Sequence, residues 1–280
     1  MPIDPSVAIG ADLGRTEFAW TQSDVLLYQL ALGARDLTWT LETAGLQVLP
    51  SFGVVAPTFH ASDPPPLDLP GCDIDLAQVV HGSQSIRVTG PIPTSGTATV
   101  STRISDVWDK GKAAVIWSET TATAPDGTLL WTQKRSIFAR GEGGFGGDRG
   151  PSTSDALPDR APDLELDIAT LPQQALLYRL CGDRNPLHSD PEFASAAGFP
   201  KPILHGLCTY GMTCKALVDA ILDGDAAEVA SYGARMAGVV FPGETLRVNA
   251  WKQDGAYVGT VTAPSRDNAV VLAGVGFTPR

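Results

Sequence analysis

Between Arg140 and Asp163 the chain reads GEGGFGGDRGP and then adds Pro158 and Pro162 to the Pro151 that ends that run. Glycine at this density makes ordered backbone entropically costly, and proline removes hydrogen-bond donors and blocks helix. Neither a helix nor a central strand is expected to cross such a stretch, so it reads as a linker. It divides the 280 residues into 1–140, 141–163 and 164–280.

The two flanks repeat one order of elements. In the second, Thr170-Leu-Pro-Gln173 looks like a capping box with Pro172 in the first turn. A helix should follow through Leu177, Tyr178 and Leu180 and stop at Gly182. A longer helical pattern begins near His205, with Leu207, Tyr210, Cys214, Leu217, Val218 and Ile221 at helical spacing and Gly224 as its stop. Strand-like runs follow at 232–241, 245–252, 256–263 and 269–277, separated at first by Pro242-Gly243 and Asp254-Gly255. In the first flank, Leu27-Tyr28-Gln29-Leu30 echoes Leu177-Tyr178-Arg179-Leu180, with Gly33 as the stop. Strand-like runs follow there at 84–89, 97–107, 112–124 and 128–139. Each flank therefore reads as helix first, antiparallel sheet afterwards, which suggests duplication. The copies differ at 50–73, where six prolines occupy the place of the long helix.

Composition narrows the functional classes. The chain is 43% apolar and 18% charged, which excludes disorder and supports a substantial core. With 31 acidic against 20 basic residues and a net charge of −11, it lacks the broad basic surface that nucleic acid requires. No run of 18 apolar residues suggests a membrane span, and no basic-then-apolar leader opens the chain. Cys72, Cys181, Cys208 and Cys214 show no zinc or redox spacing. Reduced thiols in a cytoplasmic protein are the expectation.

The chemistry concentrates in Gly182-Asp183-Arg184-Asn185-Pro186-Leu187-His188. Pro186 fixes its own φ and pushes Asn185 out of the helical region, so Asp183 and His188 lie on a shaped loop. A carboxylate and a neutral imidazole facing one cleft can hold a water and move its proton. Taken alone, such a loop is more often a structural turn. The segment Leu204-His205-Gly206 alters that balance. Gly206 opens the long helix, where backbone N–H groups lack intrahelical partners and a developing oxyanion can be bound.

The segment YRLCGDRNPLHSDPEFASAAGFPKPILHGLCTYG resembles the signature of the MaoC-like, (R)-specific enoyl-CoA hydratases. The shared pattern is Tyr-x-x-x-Gly-Asp-x-Asn-Pro-x-His, followed by Ala-Gly-Phe and Leu-His-Gly. The dense match covers 178–211, and a looser likeness to the type-2 hydratase unit of peroxisomal multifunctional enzymes runs nearly the whole length. The resemblance implies an α+β double hotdog, each unit an antiparallel sheet wrapped on a helix. It implies reversible hydration of trans-2-enoyl-CoA to (3R)-3-hydroxyacyl-CoA. Asp183 and His188 match the family's catalytic pair, Asn185 its supporting residue and Gly206 the glycine whose N–H binds the thioester oxygen. Met236 matches an apolar position against the substrate. The first unit would lack chemistry and accommodate the acyl chain. A homodimer is implied, with CoA or an acyl carrier protein delivering the substrate.

Other signals carry less. Gly141-x-Gly143-x-x-Gly146 has the letters of a dinucleotide fingerprint but leads into Pro151 rather than a helix. His188 and His205 have no third ligand at metal spacing, and no cofactor is expected beyond the CoA of the substrate. His60 and His81 lack a Gly-Asp partner. Arg184, Arg235, Lys201 and Arg87 are the candidates for CoA phosphates. Two alternatives stay open: a hotdog acyl-CoA thioesterase, and a non-catalytic partner that lends an acyl pocket.

Overall fold

The computed structural model describes residues 3–63, 68–75, 79–151 and 156–280. A one-turn helix, α1 (Pro5–Ala8), precedes strand β1 (Asp12–Trp20) and helix α2 (Gln22–Ala31). Thr21 and Asp24 cap α2 reciprocally, each side chain meeting the other's backbone N–H. Two single-turn helices follow, α3 (Leu37–Thr40) and α4 (Phe52–Val55), then strands β2 (Val79–Val88), β3 (Gly96–Asp109), β4 (Ala113–Thr123) and β5 (Leu129–Arg140). The second half holds β6 (Leu164–Ala169), α5 (Gln174–Tyr178), α6 (Pro191–Ala196) and α7 (Gly206–Leu222). It closes with β7 (Val229–Met236), β8 (Thr245–Gln253), β9 (Ala256–Ala263) and β10 (Ala269–Pro279).

All ten strands join one antiparallel sheet in the order β1-β3-β4-β5-β2-β7-β10-β9-β8-β6. Counted inward from either edge, each half runs first, third, fourth, fifth, second strand. The two second strands meet at the centre, in register from Ser83↔Arg235 to Arg87↔Ser231. This mirrored order is the mark of a duplicated unit, and the fold is the expected double hotdog. One apolar core crosses the seam, from Trp20, Tyr28 and Phe52 to Tyr210, Tyr232 and Phe277.

Helix α7 lies against β6, β7 and β10. It buries Cys208, Tyr210, Met212, Cys214, Leu217 and Val218. Each large apolar side chain so buried contributes about 1.5–3 kcal/mol. Tyr210 Oη donates to the Tyr232 carbonyl at 3.2 Å, and Tyr232 Oη donates to the Tyr210 carbonyl at 2.9 Å. These reciprocal bonds fix the helix on its sheet. It ends where Asp223 turns left-handed (φ 51°) and Gly224 N–H bonds the Val218 carbonyl. In the first half α4 takes this place in chain order. It is one turn long, and Phe52 and Val55 are buried. Any Cβ on Gly53 would meet Ile86 at 2.9 Å and Trp131 at 3.1 Å. Pro64, Pro65 and Pro66 lie outside the described residues.

Several sequence expectations change. A strand precedes the first packed helix of each half, β1 before α2 and β6 before α5, and these strands occupy the two sheet edges. The run expected at 232–241 leaves the ladder after Met236, because Ala237 and Gly238 both donate to the Val271 carbonyl. Thr170 is not the cap of α5. Its hydroxyl donates to the Glu244 carbonyl, while Gln174 Oε1 accepts from Leu171 N–H. Residues 141–151 form no helix or strand. They are nevertheless tied down, for the Asp109 carboxylate accepts N–H groups from Gly111, Gly144 and Gly146 at 2.7–2.9 Å, and Phe145 is buried. The residues of the dinucleotide-like motif are thus strapped to the end of β3.

Candidate active site

The loop after α5 is anchored from the other half. Gly182 has φ 98°, and a Cβ there would collide with the Thr58 carbonyl. Only glycine allows both the left-handed turn and this approach. The next residues form an Asx-type turn. Asp183 Oδ1 accepts from Asn185 N–H at 3.2 Å, and Asn185 Oδ1 accepts from Leu187 N–H at 3.0 Å. Pro186–His188 then makes a single tight turn.

His188 is buried, and its Nδ1 lies 2.9 Å from the Ile203 carbonyl oxygen. A carbonyl only accepts, so Nδ1 carries the hydrogen. In the neutral ring Nε2 is then the free lone pair, and it has no protein partner among the described residues. Burial holds the His188 pKa below its ordinary value, opposed by the Ile203 bond and the charge of Asp183.

His205, absent from the expected acid–base set, completes the cluster. Donor atoms of Asp183, His188 and His205 all lie within 4.8 Å of one another. The His205 ring stacks on His188 with centroids 3.7 Å apart and 28° between planes. Its Nε2–H donates to the Asp183 carbonyl at 3.2 Å, and its Nδ1 is buried without a partner among the described residues. Burial, then the neighbouring His188, pushes the His205 pKa down to about 2. Asp183 is thus a third potential ligand that the spacing argument did not find. The geometry nonetheless suits a metal poorly. Two rings stacked face to face direct their in-plane lone pairs side by side, not at one ion about 2 Å from each.

Gly206 is the first residue of α7 and is exposed. Its N–H has no acceptor among the described residues. A Cβ on it would lie 3.2 Å from Met236 Cγ, so Met236 lies over the helix start. The other candidates are more scattered. Arg184 is exposed beside Asp183, and Arg235 pairs with Ser83 across the seam. Lys201 lies over the Phe241 ring at 5.4 Å, shared with Arg266 at 5.6 Å. Arg87 faces a surface depression of about 430 Å³ lined by Ser85, Thr132, Ser231 and Thr278, with no residue of the Asp183 loop. His60 lies 3.4 Å from the carboxylate of Asp24, which belongs to no Gly-Asp motif. Cys208 is fully buried, and burial raises its thiol pKa well above the ordinary value.

Residues 153–270 match the model described as "MaoC like domain", and residues 18–141 match "MFE-2 hydratase 2 N-terminal domain". Enoyl-CoA hydratase ChsH3 of Mycobacterium tuberculosis is 65% identical over 286 residues that cover all of both chains. The chain belongs to the MaoC-like family. Among solved structures, a MaoC-like dehydratase from Phytophthora capsici superposes with a TM-score of 0.93 at 29% identity, covering 99% of this chain and 98% of that one. A Mycobacterium tuberculosis protein described as a double hotdog gives a TM-score of 0.60 at 13% identity, covering 99% and 98%, a likeness of fold alone. In this MaoC-like chain the Asp183–His205 cluster falls inside the matched C-terminal domain.

Proposed function

We propose that the chain is a hydro-lyase that adds water reversibly and on one face to a trans-2-enoyl-CoA, giving a (3R)-3-hydroxyacyl-CoA in fatty acyl metabolism. One observation supports this most: a carboxylate and an imidazole with a free Nε2 converge beside an unpaired helix-terminal N–H. Water held between Asp183 and His188 loses a proton to the pair as its oxygen bonds C3. The π electrons move toward the thioester, whose oxygen gains enolate charge. Gly206 N–H and the positive end of α7 stabilise that charge. A proton returned to C2 on the same face completes the addition. The pair exchanges protons as a unit, so base and acid are not divided between its members. Asn185 shapes the loop, and Met236 walls the reacting end.

The scheme uses no metal or organic cofactor, and CoA enters only as part of the substrate. Arg184, Lys201 and Arg235 are the proposed cations for its phosphates. The acyl chain would run along the seam, where α4 is a single turn. Four free thiols fit a reducing compartment such as the cytoplasm. No helix among the described residues is long and apolar enough to cross a membrane. The unpaired outer sides of β1 and β6 offer edges for a homodimer. The test is loss of the conjugated enoyl-thioester absorbance of crotonyl-CoA and of a long-chain enoyl-CoA, with chiral analysis of the product. An acyl carrier protein thioester runs in parallel. CoA release from saturated acyl-CoA without hydration would overturn the reading.

A further inference from the structure

His205 makes three connections from a single buried position. Its Nε2–H holds the Asp183 carbonyl at 3.2 Å, fixing the backbone from which the carboxylate projects. Its ring lies 3.7 Å from that of His188, which fixes the plane of the imidazole. It also directly precedes Gly206, so its backbone sets where the first N–H of α7 points. Tyr178 backs the ring at 4.9 Å from the side of α5. Among the described residues, no other side chain both bonds the Asp183 carbonyl and stacks on the His188 ring.

Resting on the functional reading above, we infer that His205 is the positioning residue that sets the proton-transfer pair and the oxyanion donor in one fixed relation. It does not exchange a proton with substrate. Its Nε2–H is committed to the Asp183 carbonyl, and its Nδ1 is buried with no partner among the described residues. Errors in placement are costly in such a site: about 1 Å of displacement can reduce rate about 10²-fold. The reacting enoyl group must meet the water on one side and the N–H on the other. A drift between loop and helix would therefore reduce turnover without weakening the grip on CoA.

The test uses the full chain and three variants. His205→Ala removes ring and donor, His205→Phe keeps a ring, and His205→Gln places an amide N–H near the position of Nε2. His205→Ala should lower kcat on crotonyl-CoA about 30- to 100-fold, with KM and the Kd for saturated butyryl-CoA within about threefold of the parent. His205→Gln and His205→Phe should each recover part of that loss at a Tm close to that of His205→Ala. The proposal is overturned if His205→Ala keeps more than a third of kcat. It is also overturned if KM and the butyryl-CoA Kd rise in step with the loss, or if neither partial replacement exceeds His205→Ala. A parent chain inactive on every enoyl thioester overturns the functional reading and this inference together, whereas an active parent with an equally active His205→Ala overturns this inference alone.

Discussion

The hydrogen bond from His188 Nδ1 to the carbonyl of Ile203 decides which nitrogen of the imidazole keeps its lone pair. It fixes the tautomer through backbone alone, and Ile203 itself lies three residues before Gly206. The base-competent nitrogen and the helix N-terminus are therefore set by one short segment. His188→Ala should reduce hydration about 10²–10⁴-fold, the usual contribution of a positioned acid or base. Asp183→Asn should do the same. Its side-chain oxygen can still accept from Asn185 N–H, so its Tm should stay near that of the parent. Steady-state kinetics beside thermal melts check both, and near-parental rates in either variant would remove it from the mechanism.

Acid should destabilise the fold through its buried imidazoles. His205 is pushed down to about 2 and His81 to about 4, both mainly by burial, while unfolded histidine titrates near the ordinary 6.5. Between those limits the unfolded chain binds more protons than the native one. The stability these neutral rings contribute is fully present above about pH 6.5 and is lost as pH falls toward the folded values. Melting temperature should therefore decline from pH 6.5 downward, and His205→Gln should flatten part of that slope. A parental slope in His205→Gln would contradict this account.

Gly182→Ala should be severe. The left-handed φ of 98° and the approach of the Thr58 carbonyl both oppose a side chain. Backbone strain of this kind costs about 1–3 kcal/mol. The loop would move away from the first half and take Asp183 with it. A fall in Tm of roughly 3–10 °C should accompany loss of most activity.

Gly206→Ala should separate stability from turnover. Gly206 does not have a positive φ, and alanine is favoured over glycine in a helix by about 1 kcal/mol. The new methyl group would press on Met236 and crowd the N–H proposed to bind the thioester oxygen. Tm should hold or rise while kcat/KM falls, about 10-fold or more. Unchanged kinetics would show that this N–H is not used.

The strap between Asp109 and Gly144 and Gly146 should protect the linker. Asp109→Ala removes the acceptor for all three glycine N–H groups. Tryptic cleavage after Arg140 or Arg149 should quicken, with hydration kinetics unchanged while the chain stays intact. Timed proteolysis followed by mass measurement would detect it.

The site was legible where local chemistry forces geometry. Gly182 as a stop, Asn185 before Pro186 and Gly206 at a helix start each dictate a backbone shape, so the loop and the helix start could be read from the residues alone. His205 could not be read in this way. It lies 17 residues from His188, and the rings meet because the segment before α7 runs back along the loop, with Ile203 N–H bonding the Leu187 carbonyl. The Ile203 carbonyl left no side-chain trace at all. β1 was missed because most of its residues are exposed, so it lacks apolar alternation. For β6 the signal was present, since Leu164, Leu166 and Ile168 alternate with exposed residues. Its position next to the proline-rich linker masked it.

The seam between β2 and β7 has a consequence for how such a protein could have diversified. Two separate copies of the half-unit would have to find one another through that strand edge, and each would need to retain every side chain that partnering demands. Within one chain the encounter is guaranteed by the tether at 141–163. The first half is then released from carrying a counterpart of the Asp183–His188 loop or a long central helix, provided that Ser83–Arg87 can still dock. Its interior can be reshaped without disturbing the Asp183–His205 cluster next door.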